Sequence, residues 1–180
     1  MSQGQRVEKM QNEKRKLTLL TTGGTIEKSY DEEHGVLENR ETFLRDKIQK
    51  KLRLPYTELM VKNLMNKDSL FMDDQDRETI LLAIKEHEKN QAPIVIIHGT
   101  DTMQVSAKFC FDKHQPKVPV IFTGAMKPMG FDDSDAIQNV NEALMSAFLV
   151  PAGFYISFHG KIFKVPHVQK NKSKLTFEEC

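Results

Sequence analysis

Two short runs, 94–98 (IVIIH) and 118–123 (VPVIFT), are apolar at successive positions, so a strand built from either would be hydrophobic on both faces. Successive side chains of a strand point to opposite sides, and a strand that is apolar on both must be covered on both. This constraint favours a parallel sheet clad in helices over an antiparallel sheet with one wet face. Three more runs of strand length, 17–22 (LTLLTT), 58–64 (ELMVKNL) and 153–158 (GFYISF), extend the set. Segments of helical period lie between them. In 73–90, Asp73 and Asp74 suit a helix start and Ile80, Leu81 and Ile84 mark one face. Met103, Ala107, Cys110 and Phe111 form a second stripe, and Ile137, Val140, Leu144, Ala147 and Phe148 a third. The order β, α, β, α, β, α, β, α, β predicts an α/β fold with a mostly parallel sheet flanked by helices. No internal repeat or linker divides the chain, so 17–180 is expected to form a single domain behind a polar, disordered arm at 1–16 (MSQGQRVEKMQNEKRK).

Composition narrows the partners. Lys and Arg total 26 against 25 Asp and Glu, for a net charge of +1, which offers none of the positive field that nucleic-acid binders use. No stretch approaches the roughly 20 apolar residues of a membrane span. Cys110 and Cys180 alone support neither a disulfide framework nor a cysteine zinc site, so a cytoplasmic setting, a small-molecule ligand and no membrane partner are expected.

In open sheets of this kind, ligands bind beyond the carboxyl ends of the strands. The residues there are TTGGT (21–25), NKDS (66–69), HGTDT (98–102), TGAMKP (123–128) and FHGK (158–161). All carry hydroxyl, amide or charged groups that would converge on one rim. Gly23 and Gly24 lack the lysine and spacing of a phosphate-binding loop, and the acidic segment that follows them would repel a phosphate. In HGTDT, Thr100, Asp101 or Thr102 suits a helix N-cap; alternatively, Asp101 accepts a hydrogen bond from a substrate ammonium while Thr100 supplies a hydroxyl. The six histidines, at 34, 87, 98, 114, 159 and 167, show no i, i+4 pair and no nearby cysteine, so no metal site is expected.

TTGGTI, HGTDTM and TGAMKP, in this order and each after a predicted strand, resemble the bacterial-type L-asparaginase family. The likeness runs from Leu17 to about Lys172 and corresponds to the larger N-terminal domain of the usual two-domain enzyme. TGGTIEKSY, with a tyrosine five residues after the threonine, is similar to a short, single-domain branch. The resemblance implies a flavodoxin-like (Rossmann-like) sheet, no cofactor, a homo-oligomer (dimer or tetramer) and hydrolysis of L-asparagine to L-aspartate and ammonia. It also implies site residues. Thr25 matches the nucleophile, Tyr30 the tyrosine of the lid, Ser69 the serine that binds the substrate carboxylate, and Thr100 and Asp101 the second threonine and its aspartate. Lys170 falls at the spacing of the lysine that completes the set, with Lys161, Lys164, Lys172 and Lys174 as alternatives nearby. Gly24, Ser69, Thr100, Asp101 and Ala125 make up the substrate-binding set.

The chemistry agrees with these roles. A threonine hydroxyl must lose its proton to a placed base as it attacks an amide carbon. Tyr30 serves Thr25 only if a neighbour makes it basic enough, and Lys170, oriented by Asp101, would activate Thr100 or the hydrolytic water. Backbone N–H groups at Thr25 and Thr100 are natural donors to an oxyanion. Two departures stand out: the family's second domain is not matched, and Leu70 stands where a glutamine often follows the carboxylate-binding serine. A non-catalytic asparagine- or aspartate-binding regulatory protein, or a hydrolase of another carboxamide, would carry the same motifs.

Overall fold

The computed structural model describes residues 14–24, 28–31, 36–39 and 50–180. Its centre is a six-stranded sheet built from β1 (Arg15–Thr21), β4 (Thr57–Asn63), β5 (Ile94–Ile97), β6 (Pro119–Thr123), β7 (Gly153–Phe158) and β8 (Lys161–Lys164), in the order β4-β1-β5-β6-β7-β8. The first five run parallel, and β8 turns back antiparallel on β7. Counted along the parallel strands alone, the order is 2-1-3-4-5, that of flavodoxin-like sheets. Two hairpins stand apart from this sheet: β2 (Lys28–Asp31) with β3 (Val36–Asn39), and β9 (Gln169–Asn171) with β10 (Thr176–Glu178).

Among the described residues, the sheet is covered by the helices α1 (Asp74–His87), α2 (Met103–Lys113) and α3 (Ala136–Ser146). Ile94 and Ile96 face a core shared with Ile80 and Ile84 of α1 and Ala107 and Cys110 of α2. Val95 and Ile97, one residue out of phase, face Val140, Ala143 and Leu144 of α3. All four β5 side chains are fully buried, so the doubly apolar run is satisfied by helices on both faces. Burial of this kind stabilises by about 1.5–3 kcal/mol per large aliphatic side chain. Cys110 lies in this core, where burial pushes its thiol up to about 12 and removes it from thiol chemistry.

The expected strand runs all appear, with ends shifted by a residue or two. β1 begins at Arg15, inside the stretch read as an arm, because the Arg15 N–H donates to the Tyr56 carbonyl and its guanidinium lies over the Phe148 ring. The rest of that arm, 1–13, lies outside the described residues. The strict alternation of strand and helix holds from β4 to β7; between β1 and β4 the described residues carry the β2–β3 hairpin and helical residues at 50–51. No described helix is long and apolar enough to cross a membrane.

Candidate active site

The site begins where β1 and β5 end side by side, the point at which the strand order reverses and a crevice opens. Gly23 and Gly24 both have positive φ, 91° and 95°, which lets the chain turn sharply off β1. A Cβ on Gly24 would lie 2.7 Å from Gly99 Cα, and one on Gly23 would lie 2.6 Å from the Lys67 nitrogen. The TTGG turn therefore packs backbone to backbone against two other strand-end loops. Thr22 ties the same turn to β5, its N–H and hydroxyl both donating to the Ile97 carbonyl at 3.1 Å.

The NKDS loop is held from the other side by α1. Asp73 caps that helix by accepting from the Gln75 and Asp76 N–H groups, while Asp76 accepts from the Asp73 N–H. Burial opposes the charge on Asp76, but the Lys67 ammonium bonded to it at 2.5 Å and the Asp73 N–H outweigh that effect and hold its carboxyl below the ordinary range. Ser69, next along the loop, is 1% exposed and sits against Gly99, where any side chain would collide with its hydroxyl. The Thr102 hydroxyl donates to the Ser69 carbonyl at 2.8 Å. Thr102 occupies the N-cap position of α2 but makes no side-chain cap, so its hydroxyl joins loops instead of capping a helix.

Thr100 and Asp101 follow Gly99, and here the chain reaches across 70 residues. The Lys170 ammonium donates to Thr100 Oγ1 at 2.8 Å and to Asp101 Oδ1 at 2.7 Å. The Lys170 side chain is only 10% exposed, while that of Asp101 is 40% exposed. A hydroxyl, an ammonium and a carboxylate thus meet at the mouth of β5, an arrangement suited to moving a proton to or from Thr100. Among the alternatives, Lys161 pairs with Glu179 and Lys174 with Glu178.

His98 underlies this group. Its Nδ1 lies 2.8 Å from the Gly99 carbonyl, which can only accept, so Nδ1 carries the proton. Nε2 is buried with no partner among the described residues. Charging the ring would bury a proton there without an acceptor, and burial pushes the imidazole down to about 4. His98 is a neutral prop beneath the loop. No group of three or more His, Cys, Asp or Glu side chains among the described residues could hold a metal ion.

The structure brings Gly24, Ser69, Thr100, Asp101 and Lys170 to one rim. Ala125, in the loop after β6, packs its methyl into the core below, leaving only its backbone to meet a ligand. Tyr30 lies on β2 opposite Leu37, its side chain outside the described residues, as is Thr25.

Comparison with known proteins matches residues 16–178 to the family described as Asparaginase, N-terminal. The chain belongs to the asparaginase family. An L-asparaginase of Thermococcus kodakarensis is 32% identical over 159 residues, 86% of this chain and 47% of the relative. The solved structure of the thermostable L-asparaginase from that organism superposes with a TM-score of 0.84 at 31% identity, covering 91% of this chain and 51% of that one. L-asparaginase I of Vibrio cholerae shares the fold, with a TM-score of 0.81 at 21% identity over 92% of this chain and 51% of that one. A component of the glutamyl-tRNA(Gln) amidotransferase of Methanococcus vannielii is 41% identical over 81 residues, 44% of this chain and 19% of the relative. The chain spans about half the length of the asparaginases it matches.

Asp135 and His159, whose carboxylate oxygen and Nε2 lie 3.0 Å apart, are not among the site residues read from the sequence. Asp135 precedes a helical stripe, as an N-cap would, and His159 is one histidine among six.

Proposed function

We propose that this member of the asparaginase family is an L-asparagine amidohydrolase, releasing aspartate and ammonia. The observation that carries the proposal is the contact of the Lys170 ammonium with both Thr100 and Asp101, a placed acid–base pair at the strand-end crevice. In the proposed reaction the Thr25 oxygen attacks the amide carbon and its proton passes to a neighbouring base. That base returns the proton to the amide nitrogen, and the tetrahedral intermediate expels ammonia and leaves an ester on Thr25. Water, activated through Thr100 and Lys170, then cleaves that ester. Tyr30 closes over Thr25, and backbone N–H groups of Thr25 and Thr100 receive the oxyanion, a contribution commonly worth about 3 kcal/mol. Ser69 receives the substrate carboxylate. Asp101, paired with Lys170 yet 40% exposed, remains reachable for the substrate ammonium. The reaction needs no cofactor, the setting is cytoplasmic, and a second copy of the chain completes the site in a homo-oligomer.

Ammonia release from asparagine and glutamine, measured side by side, tests this function. Glutamine should be slower by about a hundredfold, because its extra methylene displaces the scissile carbon by on the order of an ångström. Thr25→Val should abolish turnover; activity near that of the unaltered protein removes Thr25 from the nucleophile's role. The amidotransferase likeness favours one alternative, a hydrolase acting on another carboxamide. Glutamine turned over faster than asparagine would select it. Asparagine that raises the melting temperature without being hydrolysed would instead indicate a binding protein.

A further inference from the structure

β9 and β10 form a two-stranded sheet with no ladder to the main one. Such a hairpin has little stability of its own, so side chains must set its position. Phe177 and Val168 anchor it in the core. Apolar contacts limit its depth but not its slide along the rim, for which a directional contact is needed. That position matters because β9 carries Lys170, paired across the hairpin with Phe177.

The exposed Lys161–Glu179 pair just beyond β10 contributes little, as surface ion pairs do, and a better-shielded directional contact comes from His159, at the end of β7. Its Nε2 lies 3.0 Å from Asp135 Oδ2 and its Nδ1 lies 3.0 Å from Thr176 Oγ1, one residue from Phe177 on β10. Asp135 is itself fixed. Burial opposes its charge, but the N–H groups of Met126 and Lys127 and the His159 ring outweigh that effect and hold the carboxyl below its ordinary range. An ionised carboxylate only accepts, so Nε2 carries a proton, and in the neutral ring Nδ1 accepts from the Thr176 hydroxyl. The His159 N–H donates to Asn139 Oδ1 at 3.1 Å, and Asn139, fully buried, donates to Asp135 and to the Gly124 carbonyl. The backbone of His159 is left-handed, φ 48°, and its ring rests on Phe158, 4.4 Å between centroids.

We propose that His159 is a positioning residue for Lys170: held by Asp135, it fixes Thr176 and with it the hairpin that keeps the ammonium on Thr100 and Asp101. The hydrolytic consequence rests on the proposed function; the positional one does not. Two readouts separate them in the full-length protein: kinetics with asparagine, and the rate at which Lys170 is acetylated by acetic anhydride, followed by peptide mass mapping. Thr176→Val should lower kcat about tenfold with KM changed less than about twofold, the pattern of a misplaced catalytic group. It should also raise Lys170 acetylation severalfold against the other lysines, and Thr176→Ser should restore both values. His159→Asn, which tolerates the left-handed backbone, replaces Thr176→Val should that variant not fold. If the unaltered protein releases no ammonia, a selective rise in Lys170 labelling with its return in Thr176→Ser still supports the clamp, and the hydrolytic assignment alone fails. Unchanged Lys170 labelling, an equal rise at every lysine, or a rise in KM with kcat unchanged overturns it.

Discussion

Replacing His98 by asparagine tests the neutral prop beneath the HGTD loop. The asparagine amide can still donate to the Gly99 carbonyl in place of Nδ1, but it does not titrate. In the unfolded chain the imidazole titrates near 6.5, whereas in the folded protein burial holds it at about 4. Between these values the unfolded state binds the extra proton, so stability rises with pH and falls as pH descends. The contribution is fully present above about pH 6.5, and it is lost progressively toward pH 4 at about 1.4 kcal/mol per pH unit. Between about pH 7.5 and pH 4.5 the unaltered protein should lose about 2–3 kcal/mol relative to His98→Asn. That is a large share of the roughly 5–15 kcal/mol that holds a domain together. Urea unfolding of both proteins across this range gives the difference directly, and the carboxylates and other histidines common to both largely cancel. Curves whose stability difference is flat with pH would show that His98 is charged, or solvated, in the folded state, and the buried-prop argument would fail.

Lys170→Met should lower kcat for asparagine about a thousandfold with the fold retained, and Lys170→Arg should not restore it, because guanidinium keeps its proton; a loss under tenfold in steady-state assays would remove Lys170 from proton transfer. Gly24→Ala should destabilise by about 2–4 kcal/mol, since φ is 95° and the added carbon would lie 2.7 Å from Gly99 Cα and nitrogen. A urea midpoint close to that of the unaltered protein would show that the two loops can part.

The parallel strands were legible because burial on both faces leaves a composition that little else produces: Ile94, Val95, Ile96 and Ile97 admit no wet side. β8, β9 and β10 were not, for a related reason. KIFK, QKN and TFE are short and largely polar, with at most one buried side chain each, and they are held through that side chain or a neighbour's contact, such as Phe163 or Phe177. A period cannot be read from three or four residues. Thr100 and Asp101 were legible as a motif at a strand end, but Lys170 was one of several lysines until a 2.8 Å contact spanning 70 residues distinguished it. His98 presented the opposite difficulty. A histidine closing an apolar run reads as the first polar residue of a loop, and only the packing of Phe122 and the neighbouring helices shows that it never reaches water.

The rim is assembled chiefly by missing side chains. Gly23 against the Lys67 backbone, Gly24 against the Gly99 backbone, Gly124 against the His98 carbonyl and Gly99 against the Ser69 side chain join the loops after β1, β4, β5 and β6 at close approaches that a single methyl would disturb. Backbone approach of this kind fixes distances more tightly than surface side chains, which retain rotamer freedom. Ser69, Thr100 and Asp101 all lie next to these contacts or one residue beyond, so their spacing is set by the main chain. Lys170 arrives on the separate β9–β10 hairpin, held by Phe177, Val168 and the His159 hydrogen bond. Variation that tunes activity without unfolding the domain should therefore concentrate at Thr176, His159 and their neighbours, whereas change at the glycines should register first as lost stability.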